Sequence, residues 1–434
     1  MFRYTLFLTV LWAVMAVAAF PDQSDFFYFR HQLIMLTGII GFGYMAAAMA
    51  LAVRSRWLEA RIKGLDRMYR YHKHLGIGAT VALVLHWLSV EGAKWLVMAG
   101  VVSRPNRGSR LIEGFNWRGF AEGVGEWVFY GFLVFAVVSL LERISYGRFR
   151  AVHKAGSILF IGAVLHSVIL VDSGVMAIPY NMAVYVMSAI GLIAALISLT
   201  GRIGRSKKMA GSISWVMPLA GKTDKPEALH FEIDLKGNLD VKPGQFAFVN
   251  FHDGESPHPF SVLHYDSQQH RIQFGVKALG DYTSKLVKSM KAGQRVTVEG
   301  GYGHFTPSDC FHQIWVGAGI GIVPFIAWLY AEKMLNSVKN RQITLYYCVP
   351  SRAQAYFLGI VTRLSRELDH VELVVVDDGL QQRLSSDNIS QAVVDHDYEI
   401  SFCGPEGFAK ALRSETALLP NPPQAFRNEL FKMR

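Results

Sequence analysis

Cysteine is scarce in this chain: 3 residues in 434, at Cys310, Cys348 and Cys403. So few, with no Cys-x-x-Cys pair, exclude a disulfide framework and a cysteine-based zinc site. Charge is scarce too, at 18% Asp, Glu, Lys and Arg. That is below the usual ~25% and excludes a disordered or low-complexity chain. Acidic residues run short in one half only. Up to Lys208 there are 22 basic and 10 acidic residues, and beyond it 22 and 24. The net +10 is therefore confined to the first half, which removes the reading as a nucleic-acid binder.

Apolar residues are abundant instead: 51% of the chain, with mean hydropathy +0.23. Runs at residues 4–20, 33–53, 75–97, 127–141, 155–171 and 178–199 approach the roughly 20 residues a membrane span needs. The 127–141 run is short and is expected to start near Glu122. Basic residues cluster between runs, seven in 54–73, four in 142–154 and four in 201–208. The positive-inside tendency puts these segments, the N-terminus and everything after Lys208 in the cytoplasm. The N-terminal run admits a second reading, a cleaved signal peptide ending near Ala16-Val17-Ala18. An external segment, 103–118, carries Arg104, Arg107, Arg110 and Arg118, a candidate site for an anionic ligand beside the plainer reading as a solvated loop.

Ionisable residues at membrane depth are costly and point to function. His72, His74 and His86 lie on or beside the third run, His153 and His166 on the fifth, and these two runs point the same way. His72 is expected to face His153 at the cytoplasmic level, and His86 to face His166 at the outer level. Spacings of 14 and 13 residues correspond to roughly 20 Å along a helix, room for two b-type haems, each held by two imidazoles. Fourteen residues return to nearly the same helix face, but thirteen miss it by about 140°, so the fifth helix is expected to be irregular. His74 rivals His72, and His72 is preferred because 14 fits the phase better and because His72 and His153 each precede a lysine. No Cys-x-x-Cys-His occurs, which excludes covalent haem attachment.

From residue 211 the pattern changes to short β-rich runs at 231–235, 246–251, 271–276 and 295–299, expected to form an antiparallel barrel. After Cys310, strands at 313–316, 343–348, 371–376 and 398–403 alternate with helices at 323–335 and 356–367, as in a doubly wound parallel α/β sheet. The expected architecture is a six-helix transmembrane bundle carrying the paired histidines (1–205), an antiparallel β-barrel domain (211–309) and a doubly wound α/β domain (310–434).

Pro243-Gly244-Gln245-Phe246, His258-Pro259-Phe260-Ser261 and Gly280-Asp281-Tyr282-Thr283 resemble the flavin-binding segments of the ferredoxin–NADP reductase superfamily. Gly317-Ala318-Gly319-Ile320-Gly321, Pro324 and Cys403-Gly404-Pro405 resemble its nicotinamide-binding motifs. With the paired histidines His72, His86, His153 and His166, the order resembles bacterial ferric reductases and NADPH oxidase-like transmembrane flavocytochromes b. The resemblance implies Phe260 against the isoalloxazine, His258 toward the flavin phosphates, Ser261 near N5 and Cys403 near the nicotinamide C4. Gly280 and Thr283 open a helix whose N-terminus suits a pyrophosphate. Gly317, Gly319 and Gly321 let a dinucleotide phosphate approach the backbone. Ser351 and Arg352 sit where the superfamily holds a 2′-phosphate, favouring NADPH with NADH also possible. The aromatic Phe431 is placed to cover the flavin.

The expected activity is transmembrane electron transfer from NAD(P)H through FAD and two haems b to an external acceptor. Ferric chelates are preferred because residues 87–100 lack the further histidine of oxygen-reducing relatives. Oxygen reduction to superoxide, or donation to a periplasmic protein, are the alternatives. A quinone-linked anchor or transporter is disfavoured by the intact nucleotide motifs. The expected setting is a bacterial inner membrane, with bilayer lipid around the helices and the reductase domains cytoplasmic.

Overall fold

The computed structural model describes the chain except residues 19–24, 63, 104–113, 142–151, 172–173, 222–224, 336–340, 381–382, 394–395 and 430–434. Arg104, Arg107, Arg110, Phe431 and most of the basic segment 142–154 lie outside the described residues. The chain divides into two compact units, Met1–Gly204 and Arg205–Arg434.

The first unit is helical: α1 Phe2–Ala18, α2 Phe26–Ala52, the short α3 Arg56–Ile62, α4 Leu65–Met98, α5 Trp117–Leu140, α6 Ala155–Ile169 and α7 Ile178–Leu199. Among the described residues α2, α4, α5 and α7 are long and apolar enough to cross a membrane, while α1 and α6 are apolar but shorter. Helix α5 starts at Trp117, ten residues before the hydrophobic run, because Asn116 caps it, its side-chain oxygen accepting from Gly119 N at 2.9 Å. Apolar side chains such as Val134, Ile158 and Ile193 point outward at about 60% exposure or more, the pattern expected where lipid is the solvent.

Inside this unit small residues let helices approach. A Cβ on Gly191 of α7 would sit 2.2 Å from the Phe160 ring of α6, and one on Gly78 of α4 would sit 2.6 Å from Tyr44 of α2. Two tyrosines of this unit bond main chain across helices: Tyr4 donates to Gly43 O and Tyr180 to Met35 O, both at 2.9 Å.

The second unit opens with a closed antiparallel barrel of β1 Lys208–Ala220, β2 Pro226–Leu235, β3 Phe246–Asn250, β4 His258–Asp266, β5 Arg271–Lys277 and β6 Arg295–Tyr302, in the order β1-β2-β5-β4-β3-β6. Helix α8, Asp281–Ser289, follows β5. Then come β7 His312–Ala318, β8 Gln342–Val349, β9 Val371–Asp377, β10 Tyr398–Cys403 and β11 Ala425–Glu429, a parallel sheet ordered β11-β10-β7-β8-β9. Helices α9 Val323–Leu335 and α10 Leu358–Arg366 share a core with Trp315, Leu345 and Tyr347. Helices α11 Ser386–Ala392 and α12 Glu406–Thr416 share one with Ile314, Val316 and Tyr346, so strand alternation sends side chains to two covered faces.

Strands β1, β4 and β11 are absent from the sequence-based assignment. Gly211 and Pro218 interrupt β1, Pro259 sits near the start of β4, and β11 is an edge strand with Arg427, Asn428 and Glu429. Tertiary pairing overrides these weak local signals.

Candidate functional site

In the membrane unit, His72 and His86 project from α4 fourteen residues apart. His72 meets His153 with ring centroids 5.7 Å apart, and His86 meets His166 at 6.3 Å. Three of the four present Nδ1 to a main-chain carbonyl on a neighbouring helix: His72 to Ala48 O at 2.9 Å, His86 to Ile34 O at 3.1 Å and His166 to Ala121 O at 2.9 Å. His153 Nδ1 lies 3.4 Å from the Ser139 hydroxyl. A carbonyl can only accept, so in those three Nδ1 carries the proton and Nε2 keeps its lone pair, the tautomer a metal ligand requires.

The angular mismatch on the fifth run has a structural answer. His153 lies in helical backbone, but a turn at Lys154 separates it from α6, so the phase count across 153–166 passes through a local irregularity. His74 is exposed and its Nδ1 lies 2.7 Å from Arg70 O of its own helix, away from the pairs. Two glycines make room for the outer pair. A Cβ on Gly38 would lie 3.3 Å from His86 Cε1, and one on Gly125 would lie 2.1 Å from His166 Nδ1. Neither glycine was singled out in the sequence. Among the described residues no three His, Cys, Asp or Glu side chains converge as a bare-metal site. Paired, singly available imidazoles suit a group that brings its own equatorial ligands, which is how haem iron is held.

In the reductase unit the flavin-motif residues lie in the turn before β3, on β3 and β4, and at the start of α8. Gly244 has φ +86°, and a Cβ there would strike Phe305 O and the Trp328 indole, so the turn before β3 needs glycine. Gln245 then bridges the Lys242 N–H and Gly303 O. Phe246 pairs in register with Ser261 on β4 and Tyr302 on β6. Phe260 is 8% exposed and belongs to the barrel core, edge-on to Phe251 and Phe274. The His258 ring stacks on Tyr282 at 3.7 Å and 11°, joining β4 to α8. Burial holds the His258 pKa below the ordinary histidine value, against the pull of Glu255 and Asp253, and its Nε2 is buried without a hydrogen-bond partner. Thr283 Oγ1 accepts from Leu279 N and Gly280 N at the start of α8.

At the sheet, the turn after β7 runs through Gly319, at φ +58°, into α9, where Pro324 occupies the first turn. A Cβ on Gly321 would lie 2.1 Å from Cys403 O, so the glycine turn packs directly on the loop that follows β10. Between them opens a cavity of about 720 Å3, lined among others by Gly319, Gly321, Gly404, Pro405, Cys348 and Glu429. Cys403 is fully buried, and burial, then the Glu429 carboxylate, raises its thiol pKa well above the ordinary value, so it is a neutral thiol. Glu429, unassigned from sequence, lies 3.6 Å from the position of a Gly303 Cβ. Its signal was weak because β11 was not recognised. Gly317 lies deeper, paired with Cys403. Ser351 and Arg352 form the turn after β8, tied to β9 by Arg352 N donating to Asp377 Oδ2 at 3.0 Å; the cavity's charged lining at that end is Asp378 and Arg383.

Comparison with known proteins bears on both units. Residues 37–164 match the model of the ferric reductase like transmembrane component, and residues 223–306 match an FAD-binding domain model. The probable dihydroorotate dehydrogenase B (NAD(+)) electron transfer subunit of Thermococcus kodakarensis is 30% identical over 40% of this chain and 68% of its own length. The propane 2-monooxygenase reductase component of Mycolicibacterium smegmatis is 23% identical over 39% and 53%. NADPH oxidase 1 of Rattus norvegicus is 27% identical over 30% and 25%. The chain thus spans two thirds of the first relative, about half of the second and a quarter of the third. The chain is thus ferric reductase- and NADPH oxidase-like in its transmembrane component, with a flavin reductase module that resembles electron transfer subunits.

Proposed function

We propose that this protein takes hydride from NAD(P)H at a cytoplasmic reductase unit and delivers single electrons to an acceptor on the far side of the membrane, with FAD and two b-type haems as resident cofactors. The observation that carries this reading is the pair of facing histidine couples, with the Nδ1 atoms of His72, His86 and His166 turned to carbonyls. When bound, FAD converts a two-electron donor into one-electron steps and haem b passes electrons singly.

His72 and His153 would hold the inner haem, His86 and His166 the outer. On the reductase side, Ser261 is the hydroxyl for the flavin N5 and Phe246, Phe260 and Phe431 the aromatic surroundings. His258, Pro259, Gly280, Tyr282 and Thr283 hold the phosphates and the rest of the FAD. Gly317, Gly319, Gly321 and Pro324 form the turn that admits the nicotinamide dinucleotide, and Cys403-Gly404-Pro405 bounds the nicotinamide end. The neutral Cys403 thiol is buried at that end. Ser351 and Arg352 select the 2′-phosphate of NADPH.

Ferric chelate is the preferred acceptor because Trp87 to Gly100, beyond the outer ligand, contains no histidine, and Arg118 adds a cation near that end. Oxygen is the second reading, favoured by the likeness to NADPH oxidase 1. The purified protein should show b-type Soret and α bands that NADPH reduces anaerobically; a preparation with flavin but no haem bands rejects the di-haem assignment. NADPH-driven reduction of ferric citrate with and without superoxide dismutase separates the acceptors. Dismutase-insensitive iron reduction supports the ferric reductase, and suppression by dismutase supports the oxidase.

A further inference from the structure

Lys207 is only 7% exposed, although it lies in the turn Arg205–Lys207 that precedes β1. It is the first buried side chain after Ala195 of α7. The stretch between contains Gly201 and Gly204, both with left-handed φ near +67°. A buried ammonium gives up its hydration and must find replacement partners. Lys207 Nζ donates to Gly301 O at 3.1 Å and stands 4.0 Å from the centre of the Tyr302 ring, a desolvated cation–π contact. Tyr302 is wholly buried, and its hydroxyl donates to Glu299 Oε1 at 2.7 Å. Lys208 reaches the same Glu299 carboxylate at 3.6 Å. Two consecutive lysines therefore grip the last turn of β6.

The gripped residues are neighbours of the flavin motif. Tyr302 is the register partner of Phe246, with ring centroids 6.0 Å apart, and Phe246 is in turn the partner of Ser261. Gln245 holds the same segment from the other side through Gly303 O. Lys207 has no route to the nicotinamide cavity, whose lining lies on the sheet and at the end of β5.

We infer that Lys207 is a positioning residue for the output of the reductase: it fixes the segment before β1 to the strand that borders the flavin motif, and so sets the rate of electron transfer from flavin to haem without affecting hydride delivery or flavin turnover with a soluble oxidant. This rests on the proposed flavin and haem sites. The step it governs is the loss of one electron by reduced flavin and its gain by ferric haem, with NAD(P)H as the reductant and no bond formed between the partners.

The test uses the full-length protein carrying Lys207→Met, with Lys207→Arg and Lys207→Gln alongside. Two rates are measured: NADPH-driven ferricyanide reduction, read as flavin turnover, and anaerobic NADPH-driven haem reduction, read from the α band by stopped flow. Haem reduction is expected to slow on the order of tenfold in Lys207→Met, since small misplacements are costly, while ferricyanide reduction stays within about twofold. Lys207→Arg, which keeps the charge and a donor, is expected to recover most of the loss. Unchanged haem reduction in Lys207→Met, or a parallel fall in both rates, overturns the inference. If Lys207→Met does not accumulate, Lys207→Gln decides by the same split, because it keeps a donor to Gly301 O but not the charge. Absence of haem bands in the unsubstituted protein would instead count against the functional reading itself.

Discussion

Three glycines from each unit make a contrast. In the membrane unit, glycines clear space for rings: Gly125 for His166, Gly191 for Phe160 and Gly78 for Tyr44. In the reductase unit they clear space for main chain: Gly321 against Cys403 O, Gly244 against Phe305 O and Gly211 against Asp234 O. A ring can swing aside at the expense of its hydrogen bonds, whereas a strand end cannot retreat without dismantling its sheet. On the proposed assignment, the haem ligands would be tuned through side chains and the nucleotide contacts through backbone.

The largest separation between the units is expected from His166→Leu. It should remove the outer haem and abolish reduction of the external acceptor while NADPH still reduces the flavin. Haem content by pyridine haemochrome and ferricyanide turnover measure the two halves; a variant retaining both haems removes His166 from the ligand set. Next is Gly321→Ala, which drives a methyl into Cys403 O and should lower kcat/KM for NADPH on the order of a hundredfold. The haem spectrum should stay intact, and a spectral change would mean that the units are not separable in this way. Gly125→Ala should act only in the membrane unit, costing roughly tenfold in outer-haem affinity as His166 loses its orienting bond to Ala121 O. Retention of haem through dialysis at the unsubstituted level would show that the ring relocates without loss.

The smallest effect concerns pH. Burial lowers the pKa of His230, His258 and His264 in the reductase unit. Above the unfolded value of about 6.5 all three are neutral in both states and cost nothing. As pH falls below it, the unfolded chain takes up protons that the folded unit resists, so stability declines toward the lower folded values. Flavin release on heating should shift to lower temperature between about pH 6.5 and 5, and His258→Gln should flatten part of that slope. A transition temperature that rises on acidification would contradict the sign.

Much of this was readable in sequence because its signals are local. The apolar runs, the 14-residue spacing on α4 and the glycine turn between β7 and α9 each depend on residues close together in the chain. Other features were out of reach. Glu429 reaches the cavity on an edge strand whose composition resembles a loop. Gly125 matters because of a ring forty-one residues away, and the choice between His72 and His74 depends on which faces His153. The Trp117 start of α5 depends on a cap, not on hydrophobicity.

By itself, then, the sequence determined where the apolar spans lie, which residues are candidates to hold iron, flavin and dinucleotide, and in what order they come. Composition and period carry that information along the chain. The tertiary structure brings those expected histidine pairs together, and it alone decided that three of them turn Nδ1 to carbonyls of other helices and that the Lys207 ammonium stands against the Tyr302 ring. Those outcomes depend on distance in space between elements far apart in sequence, and no local propensity encodes it.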